Sequence, residues 1–101
     1  MKRHEGALAR RYARALYAVA TVEGADRARR LKAELSELIR LLGHPELSAT
    51  LAHPALPADA RARVLRAVLD RAGASPLLGR LVTLLASRER LGLLDALALA
   101  Y

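Results

Sequence analysis

The side chains able to do chemistry in this 101-residue chain are three histidines, four serines, three tyrosines and ten carboxylates; Cys, Asn and Gln are absent. Nucleophilic catalysis needs a nucleophile, a base within hydrogen-bond reach and a third group that orients the base. His4 lies near the N-terminus, and His44 and His53 each precede a proline in predicted loops. Ser36, Ser48, Ser75 and Ser87 read as capping or surface residues. Glu34 and Glu37 sit among Arg and Lys on a predicted solvated face. No third ligand has a spacing that would complete a metal site with the histidines. The chain is therefore expected to be non-enzymatic, with no catalytic residues, metal ligands or cofactor.

What remains is binding, and two segments carry an apolar surplus that points to it. On a helical wheel, Leu8, Ala9, Tyr12, Ala13, Ala15, Leu16, Tyr17, Val19 and Ala20 spread over roughly 200°. Only a wedge of Arg10, Arg11, Arg14 and Ala18 is left for water. Leu77, Leu78, Leu81, Val82, Leu84, Leu85 and Ala86 cover about the same arc, leaving Arg80, Thr83 and Ser87. A helix lying on one core needs an apolar stripe of only about 100° or a little more. Either these two helices are central and packed all round, or they lie side by side and present a shared apolar groove to an amphipathic helix.

The elements that would position such a groove follow from composition and punctuation. Ala and Leu head the helix-propensity scale and dominate the 53% hydrophobic content, so the chain reads as all-α, a compact six-helix bundle in one domain spanning residues 1–101. The first helix runs from about Gly6 to Val22 and stops at Gly24. Asp26 is expected to cap the second, which ends near Leu42 before Gly43-His44-Pro45. A short third helix spans Pro45 to Leu51. Pro57 opens a fourth that reaches Ala72 and Gly73, and Ser75-Pro76 gives a cap and first-turn proline for the fifth. The sixth is expected over Leu91 to Tyr101. In the second helix, Ala28, Leu31, Leu35, Leu38, Ile39 and Leu42 form an ordinary one-sided stripe. So do Val64, Leu65, Val68, Leu69 and Ala72 in the fourth.

A formal charge of +7 raises nucleic acid as a partner. Against it, 15 of the 17 basic residues are arginines scattered over several helices. Tyr12, Tyr17 and Tyr101 are the only aromatics, too few for a stacking platform. No apolar run approaches the roughly 18 residues of a membrane span. Arg10, Arg11 and Arg14 interrupt any signal-peptide core, and Glu5 with the tyrosines disfavours a mitochondrial presequence. A small basic helical nucleic-acid-binding or regulatory domain, and a self-associating helical domain, remain the alternatives to a protein-binding module.

The stretch Ala9-Arg-Arg-Tyr-Ala-Arg-Ala-Leu-Tyr-Ala-Val-Ala20 resembles the opening of the delta subunit of F-type ATP synthases, the oligomycin-sensitivity-conferring protein of mitochondria. Pro45-Glu-Leu-Ser-Ala-Thr-Leu-Ala-His-Pro54 resembles a later loop of that family. Arg61 falls where a basic residue is usual, and Arg90-Leu91 with Leu94 resembles its Gly-Arg-Leu and following Leu. Glu89 departs from the pattern, standing where a glycine is expected. Because Glu disfavours positive φ, the connection between the fifth and sixth helices is expected to be reshaped.

The resemblance implies a six-helix domain seated on the F1 head, gripping the N-terminal helix of an alpha subunit between the first and fifth helices. It further implies a peripheral-stalk role without chemistry or direct membrane insertion, at the cytoplasmic face of a bacterial inner membrane. Contact with other F1 subunits is implied too, and with b subunits through a C-terminal domain outside this chain. The helices it names are the two with surplus arcs. The resulting candidates for partner binding are Leu8, Tyr12, Ala15, Val19, Leu78, Val82 and Leu85.

A chain with this apolar content and no ligand cluster should fold without metal or nucleotide. Its far-ultraviolet circular dichroism should be unchanged by excess chelator; unfolding by the chelator would contradict this reading.

Overall fold

The computed structural model describes residues 3–101, with side chains from Gly6 onward; His4 and Glu5 lie outside the residues whose side chains are described. Six α-helices follow in order: α1 Arg3–Val22, α2 Ala25–Leu42, α3 Pro45–Ala52, α4 Ala58–Ala72, α5 Pro76–Ser87 and α6 Leu94–Ala100. A 3₁₀ turn, Leu91–Leu93, leads into α6. Among the described residues there is no β-strand.

The helix bounds follow local chemistry. Gly24 has φ +117°, outside the range L-residues favour, and separates α1 from α2. It also occupies the N-cap position of α2, so Asp26 is not the cap expected from sequence. Asp26 lies instead in the first turn, paired with Arg29, where its charge complements the helix dipole. Ser75 does cap α5, its hydroxyl accepting from the Leu78 N–H at 3.5 Å, with Pro76 in the first turn. The predicted sixth helix is shorter than expected. Its first turn, containing Gly92, winds as 3₁₀ before the α-helix begins.

The hub of the fold is α2. It packs on α1, α3, α4, α5 and α6, and its Ala28, Leu31, Leu35 and Leu38 are buried. The core continues through Leu65, Val68 and Leu69 of α4, then Leu78, Val82 and Leu85 of α5, and closes with Leu93, Leu94 and Leu97. Burying each leucine-sized side chain contributes about 1.5–3 kcal/mol, so these positions supply most of the driving force. The most extensive helix pairing is α1 on α6. The buried stripe of α1 is Ala9, Ala13, Leu16 and Ala20. Three small side chains in four let a neighbouring backbone approach closely.

Arg61 holds the short α3 in place. Its Nε donates to the Leu51 carbonyl at 3.1 Å and one Nη to the His53 carbonyl at 3.3 Å. The end of α3 would otherwise leave the Leu51 carbonyl to water, whereas the His53 carbonyl also accepts from the Leu56 N–H at 3.1 Å.

The connection after α5 is not reshaped by Glu89. That residue takes φ +56°, the left-handed backbone that a glycine would adopt. Two bonds hold it there: Glu89 N–H to the Ala86 carbonyl at 3.0 Å, and Arg90 N–H to the Leu85 carbonyl at 2.7 Å. This is the Schellman pattern, which also ends α4, where Gly73 has φ +70° and Ala74 N–H reaches the Leu69 carbonyl at 3.0 Å. Glu89 accepts the conformational cost because the turn closes the helix and aims the chain into Leu93 and Leu94. Replacing Glu89 with Gly should relieve that strain and stabilise the fold by up to about 1 kcal/mol, read as a raised denaturant midpoint at unchanged slope. A loss of stability would mean that the Glu89 side chain contributes more than its backbone costs.

Candidate docking face

The wide arc of α1 is two stripes side by side. Ala9, Ala13, Leu16 and Ala20, spaced four, three and four residues, are buried. Leu8, Tyr12, Ala15, Val19 and Val22 follow the same spacing one step round the helix. Leu8 and Tyr12 are half-buried against the core, Ala15 is exposed, Val19 is 48% exposed and Val22 is 86% exposed. This second stripe is an apolar seam with the four-three rhythm that another helix can pack against. Arg11 and Arg14 are exposed nearby on the same helix.

The arc of α5 divides in the same way, but the sequence-derived candidates there fall on the inner side. Leu78, Val82 and Leu85 are each 0% exposed and belong to the core. A helical wheel shows how wide an arc is, but the half that turns inward is chosen by the neighbours. The outer half is Leu77, Leu81 and Leu84; the first two are half-buried and Leu84 is exposed. Their spacing was visible in the sequence, although nothing there separated them from the core triad. Arg80 lies exposed between them.

Direct packing of α1 on α5 is not among the principal helix contacts of the described residues. Among the principal contacts the neighbour that both helices share is α2. Two further clefts, of about 680 and 740 Å³, lie between α4 and α5 and share Arg66, Leu69, Thr83 and Ser87. A third, of about 690 Å³, lies where Leu42 of α2, Leu51 of α3 and Leu91 meet. The lining residues of these three clefts include none from α1.

The polar groups of this region tie elements together. Glu37 forms a surface pair with Arg40, whose guanidinium hydrogen bonds hold the carboxyl below its ordinary value. Glu34, expected on the same solvated face, is instead half-buried. It takes a hydrogen bond from Arg27 at 3.2 Å and another from the Ser75 N–H at 2.8 Å. The seven-residue spacing of Arg27 and Glu34 puts them on one side of α2, which was the available signal. Tyr101 donates its hydroxyl to the Ala28 carbonyl at 2.7 Å, and its ring meets that of Tyr17 edge-on at 5.5 Å. His44 and His53 are exposed, and His53 Nδ1 accepts from the Ala55 N–H. Among the described residues no group of three or more acidic or histidine side chains converges on a metal position, and no helix is long and apolar enough to cross a membrane.

These features define an all-helical bundle that turns apolar seams toward its surface. The sequence profile of the ATP synthase delta (OSCP) subunit matches residues 8–101, and the chain belongs to that family. It is 34% identical over 85 residues to ATP synthase subunit delta of Solidesulfovibrio magneticus, covering 83% of this chain and 46% of that protein. The corresponding subunit of Desulfatibacillum aliphaticivorans is 32% identical over 95 residues, covering 93% of this chain and 51% of the relative. That of Maridesulfovibrio salexigens is 30% identical over 95 residues, covering 93% and 52%. The chain thus spans about half the length of the curated relatives it matches. No solved structure matches it.

Tyr101 gives this region a measurable signature. Burial raises its pKa above the ordinary tyrosine value near 10, with Tyr17 adding to the shift. A raised folded-state value favours the neutral phenol, so its contribution is fully present below about pH 10 and is lost as pH rises through the folded value. Tyr101 should therefore ionise above the ordinary tyrosine range in an ultraviolet titration. Tyr101→Phe should remove that late step and cost about 0.5–1.5 kcal/mol at neutral pH, measured by denaturant unfolding.

Proposed function

We propose that this chain is a non-enzymatic stator adaptor of an F-type ATP synthase, holding the N-terminal helix of an alpha subunit against the outer seams of α1 and α5. The observation that carries this reading is the second apolar stripe of α1, Leu8, Tyr12, Ala15 and Val19, left half-covered beside a stripe that is already buried. Family membership supplies the context. On α5 the contacting residues are Leu77, Leu81 and Leu84, with Leu78, Val82 and Leu85 supporting them from beneath.

Such an adaptor does no chemistry. Its task is to resist torque, which calls for a rigid platform and a partner held by several anchors at once. Apolar anchors should dominate. Each leucine-sized side chain buried is worth about 1.5–3 kcal/mol, whereas an exposed ion pair is worth about 0–1. Arg11, Arg14 and Arg80 would then steer acidic groups of the partner and contribute little to final affinity. Other F1 subunits complete the seat. Contact with b subunits belongs to a further domain of the whole subunit. The assembly sits peripherally at the cytoplasmic face of a bacterial inner membrane.

Calorimetric titration with a peptide of the alpha-subunit N-terminus tests this directly, at low and at physiological salt. Binding is expected at both, with weak salt dependence. Val19→Asp should cost more affinity than Arg80→Ala, because it places an unpaired charge in the apolar contact. If Arg80→Ala is the more damaging at both salt levels, the dominant force is electrostatic and the seam is not the docking face. A steep fall of affinity for DNA or RNA with salt, without peptide binding, would favour a nucleic-acid partner instead.

A further inference from the structure

We propose that Glu34 is a positioning residue for the docking face, setting where α5 stands relative to α1; this rests on the adaptor reading above. The two helices have their principal packing elsewhere and share α2 as a neighbour. How each is fixed to α2 therefore contributes to the spacing of their outer seams, beside the route through α6 and the 3₁₀ turn. Apolar packing is non-directional, so leucine contacts alone tolerate small slides and rotations of one helix on another. Hydrogen bonds are directional, and the residue that caps α5 donates one to α2. Glu34 Oε1 accepts from the N–H of Ser75, the N-cap residue of α5, at 2.8 Å.

The other carboxylate oxygen is held as well. Arg27 Nη1 donates to Glu34 Oε2 at 3.2 Å, and Arg27 Nε lies 3.5 Å from Glu23, just beyond the end of α1. One polar chain thus runs from the end of α1, along a flank of α2, to the start of α5. Its inner links are shielded, with the Arg27 and Glu34 side chains 15% and 14% exposed. A shielded ion pair adds little net stability over an apolar pair of similar volume, so its role in this proposal is to fix geometry. Stability and positioning can therefore be separated by mutation.

The test uses the whole chain with the alpha N-terminal peptide as probe, at a temperature where circular dichroism shows every variant folded. Glu34→Ala removes the acceptor and should weaken peptide binding about tenfold, with faster hydrogen exchange at the Ser75 amide. Glu34→Gln keeps an acceptor for Ser75 and should restore both properties to near wild type. The double variant Arg27→Met with Glu34→Leu should lose affinity as Glu34→Ala does, without a larger fall in melting temperature than Glu34→Ala shows. Wild-type affinity in folded Glu34→Ala, or equal damage from Ala and Gln, would overturn the proposal. If the wild-type chain fails to bind the peptide, the adaptor reading falls. The Ser75 amide still decides the tie itself: protection lost in Ala and kept in Gln supports it, and equal protection in Ala and wild type refutes it.

Discussion

The burial of one leucine stripe on α2 is the constraint on which the other helices depend. Leu31, Leu35 and Leu38 are almost wholly removed from water, and every other helix packs on α2. An 18-residue helix is about 27 Å long, so short neighbours can share it by taking different stretches of its length. That explains how a helix with an ordinary one-sided stripe becomes the hub. It needs only one apolar face if its neighbours converge on that face. Its polar flanks remain available for directed bonds, such as those of Arg27 and Glu34.

With α2 central, α1 and α5 are free to be two-faced. Each spends one stripe on the core and has another left over. On α1 the division is also one of size, with the inner stripe mostly alanine and the outer carrying Leu8, Tyr12 and Val19. Small inner residues bring α1 close to α6, and larger outer ones remain available to a partner. The apolar surface left over on both helices is what the adaptor role proposed above would use.

Directed interactions cluster at helix ends, where backbone groups lack partners within the helix. Arg61 closes α3 and Glu34 takes the amide that precedes α5, while Tyr101 ties the C-terminal residue to a carbonyl in the first turn of α2. Glu89 shows the same priority in backbone form. The Schellman bonds at the end of α5 outweigh the cost of a left-handed glutamate. Apolar burial thus assembles the helices, and a small number of end-directed bonds sets their mutual positions.

The helices themselves were legible in the residues, because their causes are local. Gly24, Pro45, Gly73 and Ser75-Pro76 punctuate the chain through backbone geometry and capping, and the Leu and Ala periodicity between them is helical. The excess arcs of α1 and α5 were legible for the same reason, and so was the family resemblance. Which half of each arc is spent on the core was not. A wheel holds no information about neighbours, so Leu78, Val82 and Leu85 looked as available as Leu77, Leu81 and Leu84. Nor could spacing along α2 reveal that Glu34 meets an amide 41 residues away. The intrinsic preference of Glu89 points the wrong way, because the hydrogen bonds that override it form only once α5 and the following turn are in place. Local chemistry determined the elements and their surplus; the packing of α1, α4, α5 and α6 on α2 decided which surface stayed outside.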